Sequence, residues 1–158
     1  YNEPFIWYEF VLDTARLAKK EGLKNVLVTN GYVNQEPLRN ILPFIDAMNI
    51  DIKSIEDKFY VDTCAAKLNP VLETIKESAK HCHIELTNLI IPTLNDSKEN
   101  FLKLTDWIYE NLGDSVPLHF SRYFPCYKLN IPATPVSTLE KAQHIAKKKL
   151  KFVYLGNV

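Results

Sequence analysis

The chain has 158 residues, 46% of them apolar, and its nineteen basic and nineteen acidic side chains cancel. That length supports one ordinary hydrophobic core, so residues 1–158 are expected to form a single domain. The charge balance argues against a nucleic-acid partner, and no apolar run is long enough to span a bilayer.

Apolar residues at helical spacing predict a first helix over 5–20, with Pro4 in a tolerated first-turn position and Gly22 as its stop. Residues 25–29 read as a buried strand, and Asn30-Gly31 as a turn. Pro37 opens a short helix that Pro43 limits. A second strand covers 47–52, followed by a helical piece over 57–63. Asn69 and Pro70 suit an N-cap and a first helical residue for a helix to 80. The third strand, 83–91, is long and rich in Ile and Leu. Asn95, Asp96 and Ser97 offer caps for a helix to about 112. A fourth strand spans 118–123. Ser137 and Glu140 match a capping box for a helix to about 149, whose lysine-rich end is a solvated terminus. Residues 152–155 make a fifth strand.

Strands alternating with helices of this length imply crossover connections and a parallel sheet. The fold class is therefore α/β. Because a helix comes first, the reading is an open sheet or a partial (βα) barrel of TIM type, with its first strands missing. In both, ligands bind at the carboxyl ends of the strands. The polar residues found there are Asn2 and Glu3 before the first helix, and Thr29, Asn30 and Gly31 after the first strand. Asp51 and Lys53 close the second. Thr87 and Asn88 lie in the third, and His119, Ser121 and Arg122 in the fourth. Alternation places Asn49, Asp51 and Lys53 on one face of their strand, opposite Met48, Ile50 and Ile52. A carboxylate and an ammonium in such a place are paired with each other or bound to a ligand.

The cysteines, Cys64, Cys82 and Cys126, are odd in number and far apart, which does not suggest a disulfide framework. Reduced thiols in a cytoplasmic protein fit better. No secretory signal opens the chain, and its first residue is Tyr. His81 and His83 flank Cys82, but alternation puts both rings on the face opposite the thiol, so no metal site is expected there. No residue is singled out as catalytic.

Six motifs occur in order: Tyr1-Asn-Glu-Pro4, Val28-Thr-Asn-Gly-Tyr32, Met48-Asn-Ile-Asp-Ile-Lys53, Leu89-Ile-Ile-Pro92 with Asn95-Asp96, Leu118-His-Phe-Ser-Arg122 and Tyr154-Leu-Gly-Asn157. Together they resemble radical S-adenosylmethionine enzymes related to the pyruvate formate-lyase activating enzyme. The branch they look most like is the AmmeMemoRadiSam system radical enzyme. The resemblance covers the whole chain, which would then be the C-terminal part of such a barrel.

That resemblance implies a function. Such enzymes cleave S-adenosylmethionine reductively to a 5′-deoxyadenosyl radical, which abstracts hydrogen from a small molecule or a partner protein. Asn2 and Glu3 stand where the family binds the cofactor's amino group. Thr29, Asn30 and Gly31 would lie beside it, Asp51 and Lys53 near its ribose, and Thr87 and Arg122 toward cofactor or substrate. Val28 departs from the activating enzyme, which has an Asp there as part of a monovalent-cation site. The family also holds a [4Fe–4S] cluster on a CxxxCxxC loop. Here the cysteine intervals are 18 and 44 residues, so the loop is expected upstream of Tyr1 and the fragment alone to be inactive. An exposed sheet edge would favour self-association. The alternatives are a non-catalytic barrel-derived binding module and a Schiff-base (βα) barrel lyase acting through Lys53.

Overall fold

The computed structural model describes residues 2–158; Tyr1, and with it the first position of the Tyr1-Asn-Glu-Pro4 motif, lies outside the described residues. A 3-10 turn, Pro4–Trp7, leads into α1 (Tyr8–Lys20). There follow β1 (Val26–Thr29), α2 (Gln35–Ile41), a 3-10 turn at Leu42–Phe44 and β2 (Ala47–Asp51). Then come α3 (Asp57–Cys64), α4 (Leu68–Ser78), β3 (His83–Ile90), α5 (Lys98–Leu112), β4 (Leu118–Arg122), α6 (Val136–Ala146) and β5 (Val153–Gly156). The strands form one sheet in the order β1-β2-β3-β4-β5. The resolved pairings, β1 with β2, β3 with β4 and β4 with β5, are all parallel, as the alternation of strands and helices predicts.

The chain divides into two compact units. One comprises the segment up to Asp51 with Asn69–Glu85, the other Ile52–Leu68 with Leu86–Val158. In the first unit, register sets Leu27 beside Met48 and Thr29 beside Ile50. Leu27, Met48, Ile50 and Ile84 face inward with Leu38, Ile41, Val71 and Ile75 from α2 and α4. The alternate positions behave differently: Val26 and Val28 are 61% and 42% exposed, and Asn49 and Asp51 are half-buried. Met48 and Ile50 thus face the core while Asn49 and Asp51 do not, which is the split that period-two alternation requires.

In the second unit Leu86, Ile90, Leu118, Phe120 and Val153 form the sheet's packed face against Phe101, Leu104 and Ile108 of α5 and Leu139, Ala142 and Ile145 of α6. Phe101 meets Phe120 edge to face, ring centroids 5.8 Å apart. The other face carries half-buried Thr87, Leu89, His119 and Ser121 and the exposed Tyr154.

Three helix starts differ from expectation. α4 begins at Leu68, so Asn69 and Pro70 are its second and third residues, and Leu68 N–H donates to Asp57 Oδ1 at 2.8 Å. α6 begins at Val136 after Pro135, which puts Ser137 inside the helix, where it cannot cap; no side-chain cap is made. α2 begins at Gln35, so Pro37 is its third residue, and it ends at Ile41, ahead of Pro43, which lies in the 3-10 turn that follows. At α5, by contrast, Ser97 is the N-cap, accepting from Asn100 N–H at 3.1 Å.

Candidate functional site

In the first unit the carboxyl end of β1 closes around Glu3. Glu3 Oε1 accepts from Thr29 Oγ1 at 2.6 Å and from Phe5 N–H at 3.3 Å, and Oε2 accepts from Asn30 N–H at 2.7 Å. Thr29 Oγ1 in turn accepts from Gly31 N–H at 3.1 Å, and Asn30 Oδ1 from Tyr32 N–H at 2.8 Å. The Thr-Asn-Gly segment is therefore a cradle for one carboxylate. A carboxylate has about four acceptor positions, and among the described residues these three donors leave one open. Thr29 is buried, Glu3 and Asn30 are half-buried and Asn2 is exposed.

Gly31 makes the cradle possible. Its φ is +71°, and a Cβ added there would stand 2.8 Å from Ile50 Cγ2 and 3.2 Å from Val71 Cγ1. Only glycine fits both the backbone conformation and the space. A cleft of about 420 Å³ is lined by Phe5, Tyr8, Tyr32, Val33, Asn34, Pro37 and Pro70, residues that follow Glu3 and Gly31 in the chain.

The second unit holds Lys53, Thr87 and Arg122. Register puts Thr87 beside His119 and His119 beside Tyr154. The His119 and Tyr154 rings stack at 5.3 Å with 28° between their planes. Arg122 is directed elsewhere: its Nε donates to Thr134 O at 2.8 Å, and its guanidinium lies 4.7 Å from the Phe124 ring. Arg122 thus ties the 123–134 loop to the end of β4, while Thr87 and His119 share a face of the sheet. Of the nine residues named from the sequence, the first unit gathers Glu3, Thr29, Asn30 and Gly31 into one hydrogen-bonded cluster, and it also holds the exposed Asn2 and the half-buried Asp51.

Sequence reading placed Asn88 among the polar strand-end residues but did not connect it, or Asn95, to Lys53. Asn88 Nδ2 donates to the carbonyls of Ile52 and Lys53, and Asn95 Nδ2 to those of Lys53 and Leu89. Asn95 had the look of a helix cap. The available signal was Asn88, which breaks the apolar series Ile84, Leu86, Ile90 on the packed face of β3.

The chemistry of these donors can be set against two groups. A charged carboxylate with one acceptor position open suits the ammonium of an amino acid, and the Lys53 ammonium suits a carboxylate or hydroxyl. S-adenosylmethionine carries such groups, so the residues fit it. An iron–sulfur cluster needs convergent thiolates. Cys64 and Cys82 are partly buried and Cys126 is exposed. Burial pushes the Cys64 thiol above its ordinary value, with Lys53 acting the other way. Burial, reinforced by the Asp46 carboxylate, pushes Cys82 up to about 11. Among the described residues no three His, Cys, Asp or Glu side chains converge as a metal site. The thiols of this chain do not fit a cluster.

Comparison with known proteins gives the family of the chain. The model of the radical SAM superfamily matches residues 1–107. An uncharacterized protein of Methanocaldococcus jannaschii is 48% identical over all of this chain and 47% of its own length. The (2S)-3-sulfopropanediol dehydratase activating enzyme of Klebsiella oxytoca is 28% identical over 73% of this chain and 37% of its own length. The chain thus spans about half, or less, of the curated relatives it matches. A crystallised domain of a pyruvate-formate lyase-activating enzyme from Bacteroides vulgatus superposes with a TM-score of 0.84, covering 99% of this chain and 96% of that one. At 14% identity it shows the fold, a parallel, partial (βα) barrel. The matched model covers well over half of the residues and includes Glu3, Thr29, Asn30, Gly31, Asp51, Lys53 and Thr87, and the chain belongs to the radical SAM superfamily, whose members use S-adenosylmethionine and a [4Fe–4S] cluster.

Proposed function

We propose that this chain forms the S-adenosylmethionine-binding part of a radical enzyme of the activating-enzyme kind, near the AmmeMemoRadiSam branch, with the cluster held by residues outside these 158. The observation that carries the reading is the Glu3 carboxylate, fixed by Thr29 and Asn30 with one acceptor position left open. Glu3 holds the ammonium of the methionine moiety, and Thr29, Asn30 and Gly31 hold Glu3. Asp51 and Lys53 bind hydroxyl and carboxylate groups of the same cofactor, with Asn2 at the rim. Thr87 faces cofactor or substrate from β3, and Arg122 contributes by fixing the 123–134 loop.

Bound beside a reduced cluster, S-adenosylmethionine supplies a 5′-deoxyadenosyl radical for hydrogen abstraction. The protein's part is to hold the methionine end still and keep the radical's path short. The Klebsiella oxytoca relative is by its name the activating enzyme of a dehydratase, which favours a partner protein as the hydrogen donor here. A cytoplasmic setting suits the free thiols. No helix among the described residues is long and apolar enough to cross a membrane.

The full-length gene product tests this. Reconstituted anaerobically with iron and sulfide, it is expected to turn brown and to convert S-adenosylmethionine to methionine and 5′-deoxyadenosine when reduced. A colourless protein that leaves S-adenosylmethionine intact would sink the reading. The 158 residues alone should bind no cluster. They should also self-associate, because Val26 and Val28 lie exposed on β1, the first strand of the sheet. A monodisperse monomer by light scattering would contradict that.

A further inference from the structure

At the carboxyl end of β2 two consecutive residues are held by five hydrogen bonds. Ile52 N–H donates to Thr87 O at 2.9 Å, continuing the sheet, and Ile52 O accepts from Asn88 Nδ2 at 2.7 Å. Lys53 N–H donates to the Tyr60 hydroxyl at 3.0 Å. Lys53 O accepts from Asn88 Nδ2 at 3.2 Å and from Asn95 Nδ2 at 2.6 Å. The backbone donor and acceptor of Lys53 are thus both taken by side chains, which come from α3, β3 and the turn after β3.

A strand end can satisfy its polar groups with water or with the next turn's N–H groups, so this arrangement asks for more than backbone accounting. Asn88 is 1% exposed and occupies a place on the packed face where an apolar residue is the default. Asn95 is 2% exposed and is itself fixed, accepting from Ile91 N–H at 2.7 Å. Asn100 Nδ2 braces the same turn by donating to Asn95 O at 2.7 Å. Burying such amides is costly unless their hydrogen bonds are made. Three of the five bonds made here fall on the backbone of Lys53. Rotation about the Lys53 backbone would break three of them at once.

We infer that Tyr60, Asn88 and Asn95 are positioning residues that fix the Lys53 backbone and so aim its ammonium at the cofactor. The inference rests on the cofactor role proposed for Lys53. A purely structural role would give the same hydrogen bonds, so the test must follow coupling through Lys53.

S-adenosylmethionine affinity is measured by calorimetry on the anaerobically reconstituted full-length protein, with Tyr60→Phe and Asn88→Leu made both alone and together with Lys53→Met. Thermal unfolding of the cofactor-free proteins is recorded alongside. Each single change should weaken binding roughly three- to tenfold, the worth of one or two neutral hydrogen bonds. Neither should weaken it further once Lys53→Met is present. Equal losses in both backgrounds, or a lower unfolding temperature with unchanged affinity in both variants, would overturn the positioning role. Glu3→Gln separates the two ideas. If it weakens binding and Lys53→Met does not, the positioning role fails and the carboxylate cradle stands. If neither change matters, both fail.

Discussion

The Thr29 hydroxyl and the Asn30 N–H hold Glu3 through opposite oxygens, so the carboxylate cannot turn without losing one of them. Gly31 lets the chain make that turn. Gly31→Ala should cost about 2–4 kcal/mol, from a side chain forced into the left-handed region and a methyl pressed on Ile50 Cγ2. Urea unfolding would show a lower midpoint with an unchanged slope. The cysteines give a pH dependence. Cys82 titrates near 11 in the folded chain, above the ordinary thiol value of 9.0. Between those values the unfolded chain loses the proton and the folded chain keeps it. The contribution of Cys82 to stability should therefore be complete below about pH 9 and fall as pH rises toward 11. A Cys82→Ala variant should lack this part of the alkaline decline; an identical decline in both proteins would assign it elsewhere. At this scale the turn at Asn30-Gly31 and the polar residues Glu3 and Thr29 at a strand end were legible, whereas the bonds that join Glu3 to Thr29 and Asn30 span 26 and 27 residues. Asn95 was not, since its partners Lys53 and Leu89 depend on how distant segments meet.

Among the elements, the 123–134 loop is tied to the sheet at both ends. Thr134 is fully buried; its hydroxyl donates to Ile90 O and accepts from Tyr123 N–H, and its carbonyl accepts from Arg122. Thr134→Val keeps the shape but leaves two backbone groups unpaired, at a cost of about 1–3 kcal/mol. Hydrogen exchange should then speed up at Tyr123 while the β3 amides stay protected; unchanged exchange at Tyr123 would show that the hydroxyl is not what holds the loop. The strands and most helices were readable from period and capping chemistry, as at Ser97. The starts of α4 and α6 were not. The first is met by Asp57, a residue from another helix, and in the second Pro135 stands at the N-cap with extended backbone, so the helix begins at Val136 before Ser137 is reached. Caps are local signals, and they mislead where a distant side chain or a preceding proline decides the first turn.

For the molecule as a whole, parallel α/β architecture followed from alternating strands and helices, since two strands joined through a helix run in the same direction. The position of polar residues at strand ends then followed from topology. What the pattern of residues does not carry is which polar groups bind one another and which are kept for a ligand, because both kinds sit at the same strand ends. Asn88, bound to the Ile52 and Lys53 carbonyls, is of the first kind, and Lys53 is proposed above to serve the cofactor as well. The most direct test of the central claim is the affinity of the reconstituted full-length protein for S-adenosylmethionine, measured by calorimetry for the native chain and for Glu3→Gln. Replacing the charged partner of an ammonium with a neutral amide should weaken binding at least roughly tenfold, the low end of the value of a charge-assisted hydrogen bond. Equal affinity in the two proteins would contradict the role of Glu3 as the cofactor's anchor.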